Sequence, residues 1–155
     1  LGRAPAAADG DDPAAFAGAI ERPLSAEQLA RSWCVAAGRP LENDRLRRAT
    51  VAAIPEVMPR DYQATFQQAR FLSTAPPLRE LLEPVPGSTI ARIGDLPGIQ
   101  ERVDGAFLAV LGRRPDPEEA TRATDLLASS PEQPVEAVRD LLWALLTSAE
   151  FLTMP

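Results

Sequence analysis

Apolar residues in this chain recur at intervals of three and four, and no convincing stretch alternates apolar with polar at a period of two. That pattern confines the chain to helices, each burying one face. The widest stripe is Val135, Val138, Leu142, Leu145 and Ala149, flanked by Leu141 and Leu146. It predicts a centrally packed helix opened by Pro134. Upstream, Ile99, Val103, Ala106, Phe107, Val110 and Leu111 mark another helix face, with Gly112 where a C-terminal cap belongs. Between the two, Asp116-Pro-Glu-Glu119 supplies a cap residue, a proline at the first position and acids in the first turn, so a helix runs from there to about Ala128. Abundant alanine and an aromatic content of 5% favour helix over sheet. At 155 residues the chain is long enough to bury about two-thirds of its unfolded surface in one core. The expected class is therefore all-α, a single orthogonal or irregular bundle of about seven helices with no significant sheet.

The rest of the chain reads as shorter pieces cut by proline. Residues 1–20 are rich in Ala, Asp and Pro and read as a flexible linker or tail, leaving 21–155 as the helical domain. Ser25-Ala-Glu-Gln28 is a capping box that starts a helix through Leu29, Trp33, Ala36 and Ala37, and Gly38 with Pro40 ends it. A second helix runs from Asn43 or Asp44 through Leu46, Val51 and Ile54, stopped by Pro55 and Pro59. A third spans Asp61 to Leu72, with Tyr62, Phe66, Ala69 and Leu72 as its buried stripe. Pro76 and Pro77 then open a short helix over Leu78, Leu81 and Leu82. Residues 83–97 hold three prolines and two glycines and read as an internal loop, with a short extended piece from Ser88 to Ile93.

Two absences narrow the chemistry. Without histidine there is no Ser-His-Asp or Cys-His catalysis, no imidazole metal site and no haem-attachment CxxCH. Without lysine there is neither a Schiff base nor a P-loop, and all sixteen basic residues are arginine. The net charge of −6, with acids and arginines interspersed, argues against a nucleic-acid surface. Even the densest basic cluster, Arg45, Arg47 and Arg48, is flanked by Glu42 and Asp44 and reads as a solvated helix face. No apolar run approaches the ~20 residues of a membrane span. Leu1 is not followed by the basic, apolar and small-residue regions of a leader, which leaves a cleaved leader or an artificial boundary upstream of it as the expectation. The lone Cys34, between Trp33 and Val35, reads as a small buried hydrophobe. Asp9, Asp11 and Asp12 invite a calcium reading but lack the rest of an EF-hand loop, and read as an acidic tail. Glu118 with Glu119, and Glu80 with Glu83, are not spaced like paired carboxylates facing across a cleft.

Two closing stretches carry the specific signature. Ala106-Phe-Leu-Ala-Val-Leu-Gly-Arg-Arg-Pro-Asp-Pro-Glu-Glu119 and Leu141-Leu-Trp-Ala-Leu-Leu-Thr-Ser-Ala-Glu-Phe-Leu152 resemble the uncharacterised C-terminal domain of large exported planctomycete proteins, which often carry a cytochrome c-like segment elsewhere. Arg22-Pro-Leu-Ser-Ala-Glu-Gln-Leu29 and Gln63 to Ser73 are similar to two further stretches of that family, in the same order. Thr147, Ser73 with Thr74, and the Thr153-Met154-Pro155 end depart from its pattern. The resemblance implies lineage and export to the periplasm or cell surface, and no activity. A weaker likeness, in the Leu-Gly-Arg-x-Pro corner and the Ser-x-Glu-Phe helix end, points to helical scaffolding modules of bacterial extracellular repeats and phycobilisome linkers.

The candidate structural motif is Gly112, Arg113, Pro115, Trp143, Ser148, Glu150 and Phe151, with no catalytic, cofactor-binding or metal-ligating residue assigned. Arg113 and Glu150 are expected to meet as a bidentate pair clamping two helix ends, the alternative being that Ser148 and Glu150 cap only their own turn. Trp33 and Trp143 are expected in inter-helix packing, and exposure of Trp143 beside Leu146 would mark a docking patch. The function expected is a non-catalytic helical module of an exported protein, mediating domain–domain or protein–protein assembly, with other domains of the parent chain or other proteins as partners and neither nucleic acid nor a membrane span. The alternative is an accessory domain of a multidomain enzyme or a cytochrome-type electron-transfer protein. A large exposed apolar patch would favour the first, and a cleft with Arg22, Arg70, Arg79 or Arg113 faced by acids the second.

Overall fold

The structure is a computed structural model and describes residues 24–54 and 66–153. These form α1 (Ala26–Ala36), α2 (Asp44–Ala53), α3 (Phe66–Thr74), α4 (Pro76–Leu81), α5 (Thr89–Gly94), α6 (Ile99–Leu111), α7 (Pro117–Ala128), α8 (Pro134–Leu146) and α9 (Ala149–Leu152). Among the described residues the class is all-α, with nine helices where about seven were expected. The reading of residues 1–20 as a tail, the Asp9–Asp12 cluster and the Tyr62 end of the third helix fall outside the described residues, as does Arg22.

Local chemistry sets most of the boundaries. Ser25 Oγ accepts from the Gln28 amide while the Gln28 side chain accepts from the Ser25 amide, so two orphan donors of α1 are met reciprocally. Asn43 caps α2 through the Leu46 amide, and Pro117 and Pro134 stand at the first positions of α7 and α8, where a missing N–H costs nothing.

The expected 83–97 loop is the clearest correction. Ser88 Oγ accepts from the Ala91 amide and starts α5, so Ser88 to Ile93 is helical rather than extended. Ile90 and Ile93, three apart, bury one face of that turn and a half against α6 and α8. Pro86 and Gly87 make only the short link before it, with Gly87 at φ 81°. The stripe assignments also shift in α2 and α3. Val51 is exposed and Thr50 buried, because Thr50 Oγ1 donates to the Leu46 carbonyl and needs no outside partner. Ala69 is exposed, and α3 instead turns Phe71 and Leu72 to the core. In the last third, Val135 and Leu111 are half-buried, and Ile99 and Ala149 are exposed at helix starts.

One core joins everything. α8 buries Val138, Leu141, Leu142, Leu145 and Leu146, and packs against α5, α6, α7 and α9. The first four helices form their own group, with α1 on α2 and α4, and α2 on α3. Three hydrogen bonds are among the contacts that tie that group to α8 and its neighbours. The fully buried Trp33 donates its indole N–H to the Leu146 carbonyl at 3.0 Å, the Thr89 amide donates to the Ala37 carbonyl at 3.0 Å, and the Leu24 amide to the Leu152 carbonyl at 3.0 Å. At the Ala37 corner the chain turns through Gly38 at φ +64°, and a Cβ there would stand 3.0 Å from the Thr89 amide nitrogen.

Trp33→Phe removes ring volume from the core and leaves the Leu146 carbonyl without its buried donor. A loss of about 2 kcal/mol is expected, read as a lower urea midpoint at unchanged slope. An unchanged midpoint would mean that the indole is not a structural tie.

Candidate functional site

Gly112 ends α6 in the left-handed region at φ 68°, a conformation that any side chain would strain. The turn it makes sends Arg113 back over Phe107, whose ring centre lies 5.8 Å from the guanidinium carbon. Two residues later Pro115 leads into the Asp116 cap of α7. Asp116 Oδ1 accepts from the Glu118 and Glu119 amides at 2.9 and 2.8 Å, and Glu119 reaches back to accept from the Asp116 amide at 2.8 Å. The capping box therefore fixes the Glu119 carboxylate beside Arg113.

The Arg113–Glu150 pair is present as a two-point contact. Nε donates to Glu150 Oε1 at 2.7 Å and Nη2 to Oε2 at 2.6 Å. A second carboxylate, absent from the expectation, completes the node: Nη1 and Nη2 donate to the two oxygens of Glu119 at 2.7 and 2.8 Å. With Nη1 also donating to the Arg114 carbonyl at 3.1 Å, all five guanidinium N–H groups are engaged. Local capping coexists with the clamp, since Ser148 Oγ accepts from the Phe151 amide and donates to the Leu145 carbonyl. Phe151 is buried, so the ion pair and the aromatic anchor hold α9 from two sides. Trp143 lies elsewhere, half-buried on α8, while Leu146 is buried and forms no surface patch with it.

The electrostatics make this node a fastener. Hydrogen bonds from Arg113 hold the Glu119 carboxyl down at about 2 against the opposing pull of burial, and they lower Glu150 in the same way. The same bonds raise Arg113 above its ordinary value. A carboxyl so acidic is a poor proton carrier at neutral pH, and an arginine with no spare donor has nothing to offer a ligand. Cys34 is buried, and burial pushes its thiol up despite the positive charge of Arg39, which suits a packed hydrophobe better than a nucleophile. Among the described residues no group of three or more His, Cys, Asp or Glu is placed to hold a metal. No described helix is long and apolar enough to cross a membrane.

Open chemistry sits instead in a groove of about 360 Å³ between α4 and α8, lined by Arg79, Leu82, Glu83, Glu136, Arg139, Asp140 and Trp143. Glu136, Arg139, Asp140 and Trp143 share one face of α8 by their spacing of three and four. Arg139 is the inner post of this groove. It donates to the Leu82 carbonyl at 3.2 Å, lies 3.6 Å from Glu83 and pairs with Glu136. Arg79 is stacked 5.6 Å over the Trp143 ring. Of these, the sequence named Trp143 as a packing residue, Arg79 as a candidate cleft arginine, Leu82 as an apolar helix position and Glu83, with Glu80, as a carboxylate pair set aside. The Glu136-x-x-Arg139 spacing is visible there, but the approach of α4 to α8 is not. A second groove of about 460 Å³ runs between α1 and α2 over Ala30, Cys34 and Leu41, with charged rims. Comparison of the chain with family models, curated proteins and solved structures finds no match.

Both carboxylates of the node titrate lower when folded than when unfolded. Their stabilisation is therefore present above about pH 4.5 and is lost as the pH falls through their lowered folded values, which for Glu119 means toward about 2. Glu119→Gln is expected to unfold at lower urea than the parent at pH 7, with the gap closing between about pH 4.5 and 2. A gap that stays constant with pH would rule out the ionised clamp. Arg113→Lys, which keeps the charge but loses the fork, should lower the melting temperature by more than Arg122→Lys, whose single Glu118 contact is solvent-exposed.

Proposed function

We propose that this chain is a non-catalytic helical module of an exported protein that mediates domain–domain or protein–protein assembly. The closing motifs, with their likeness to the C-terminal domain of exported planctomycete proteins, supply the lineage and the expectation of export. The observation that carries the reading is the α4–α8 groove, where an arginine lies stacked on a half-exposed tryptophan. Tryptophan and arginine are the residue types in which binding energy concentrates at protein interfaces. Here the two residue types stand together, the Arg79 guanidinium within cation–π range of the Trp143 ring.

A second reading, an accessory domain of a multidomain enzyme or a cytochrome-type electron-transfer protein, is the one that a cleft of arginine faced by acids favours, and Arg79 shares this groove with Glu83, Glu136 and Asp140. It predicts that the activity or potential of the rest of the parent chain changes when this domain is added.

Calorimetric titration of the domain against the other segments of its parent chain tests the first reading. At least one segment should bind, and Trp143→Ala should weaken that binding by about 2 kcal/mol, the threshold of an interface hot spot. Binding by no segment, or equal binding by the alanine variant, would remove the support.

A further inference from the structure

We infer that the link between α8 and α9 is a hinge through which two copies of this chain exchange their α9 turns, each copy seating the other's. The partner is a second copy of the chain and the surface is the seat that α9 fills, so the α4–α8 groove plays no part.

The bend rests on one residue. Residues 135–152 hold neither glycine nor proline, the residues that ordinarily stop a helix. Thr147 lies beside the helical region at φ −106° and ψ 4°, and Ser148 alone leaves it fully, at φ −67° and ψ 152°. Turning the Ser148 ψ back to about −42° makes α8 and α9 one helix over residues 134–152, about 28 Å long. The Ala149 and Glu150 amides then meet the Leu145 and Leu146 carbonyls, four residues earlier. The Leu146 oxygen keeps a second lone pair for this beside the one that takes the Trp33 N–H.

The bend is held by a cap and by the seat. Ser148 Oγ accepts from the Phe151 amide at 3.3 Å. Phe151 is buried, Glu150 meets Arg113 through two bonds, and the Leu152 carbonyl accepts from the Leu24 amide. A turn of four residues has no helical stability of its own, so α9 behaves as a short ligand tethered to its seat. Every copy carries the same turn and the same seat, and the contacts a turn makes in its own chain are those it makes in its partner. Within one chain the short link holds the turn at an effective concentration of about millimolar. The closed form therefore prevails in dilute solution, and exchange sets in as the protein approaches that concentration.

Substitution of Ser148 separates the two forms. Alanine is among the weakest N-caps and is the best helix former, whereas glycine caps nearly as well as serine and disfavours a continuous helix. Sedimentation equilibrium of the full chain up to about millimolar concentration reads the difference. Ser148→Ala is expected to dimerise about thirtyfold more tightly than the parent, the loss of one cap in each of two closed chains. Ser148→Gly should stay monomeric throughout. Charge reversal then tells exchange from a contact of outer faces. Arg113→Glu and Glu150→Arg each set like charges together in the seat, closed or exchanged, so neither chain should dimerise alone. Mixed, they match both seats only by exchange, one with the original Arg113–Glu150 fork and the other with its signs reversed, and a one-to-one heterodimer is expected. Equal sedimentation of the Ser148→Ala and Ser148→Gly chains, or a mixture that stays monomeric, would overturn the inference. Should a charge-reversed chain not fold, the Ser148 pair decides by itself, with the alanine variant dimeric and the glycine variant monomeric in favour and any other order against.

Discussion

A buried indole hydrogen bond joins the two halves of this fold. The described helices run from four to thirteen residues, lengths at which an isolated helix in water is marginal or absent. Each therefore depends on the surface it is pressed against. α8 provides that surface for α5, α6, α7 and α9, and Trp33 brings α1 to the end of α8 through the Leu146 carbonyl. That carbonyl belongs to the last turn of α8, where carbonyls lack intrahelical partners, so one contact closes the core and caps a helix. The tilted packing of Trp33 on Phe71, with ring centres 6.1 Å apart, draws α3 onto the same point.

The Arg113 node solves a different problem. The ends of α6, α7 and α9 meet near solvent, where apolar burial is thin and a four-residue helix has little to hold it. A planar cation with five donors can bind two carboxylates at once, and the capping box of α7 has already aimed one of them. Because the site is partly exposed, solvent screening limits its strength, and its value lies in fixing three directions together.

Much of this was legible in sequence where the information is local. Ser25-x-x-Gln28, Asp116-x-x-Glu119 and Pro134 mark helix starts by chemistry acting within four residues, and Gly112 marks an end. Arg113 and Glu150 were paired by reasoning about facing termini. What escaped is of two kinds. Ile90 and Ile93 are too few to show a period, and the surrounding prolines and glycines read as loop, so α5 is apparent only once α6 and α8 offer it a face. Glu119 had an adequate local explanation as a dipole partner, which hid its long-range role. The groove shows the same limit, since its two walls are more than fifty residues apart in sequence, as the Arg139–Leu82 contact records.

The Leu24 amide and the Leu152 carbonyl share a hydrogen bond of 3.0 Å, so the described domain closes on itself at one corner. A pull applied through the two strands of chain that meet there does not stretch the body of the bundle. It loads that single bond first, then the four residues of α9 with the Phe151 anchor and the Glu150 fork behind them. Between those two points the corner bond and the short α9 stand in front of the longer helices, so the weakest link of the described domain lies where its ends meet.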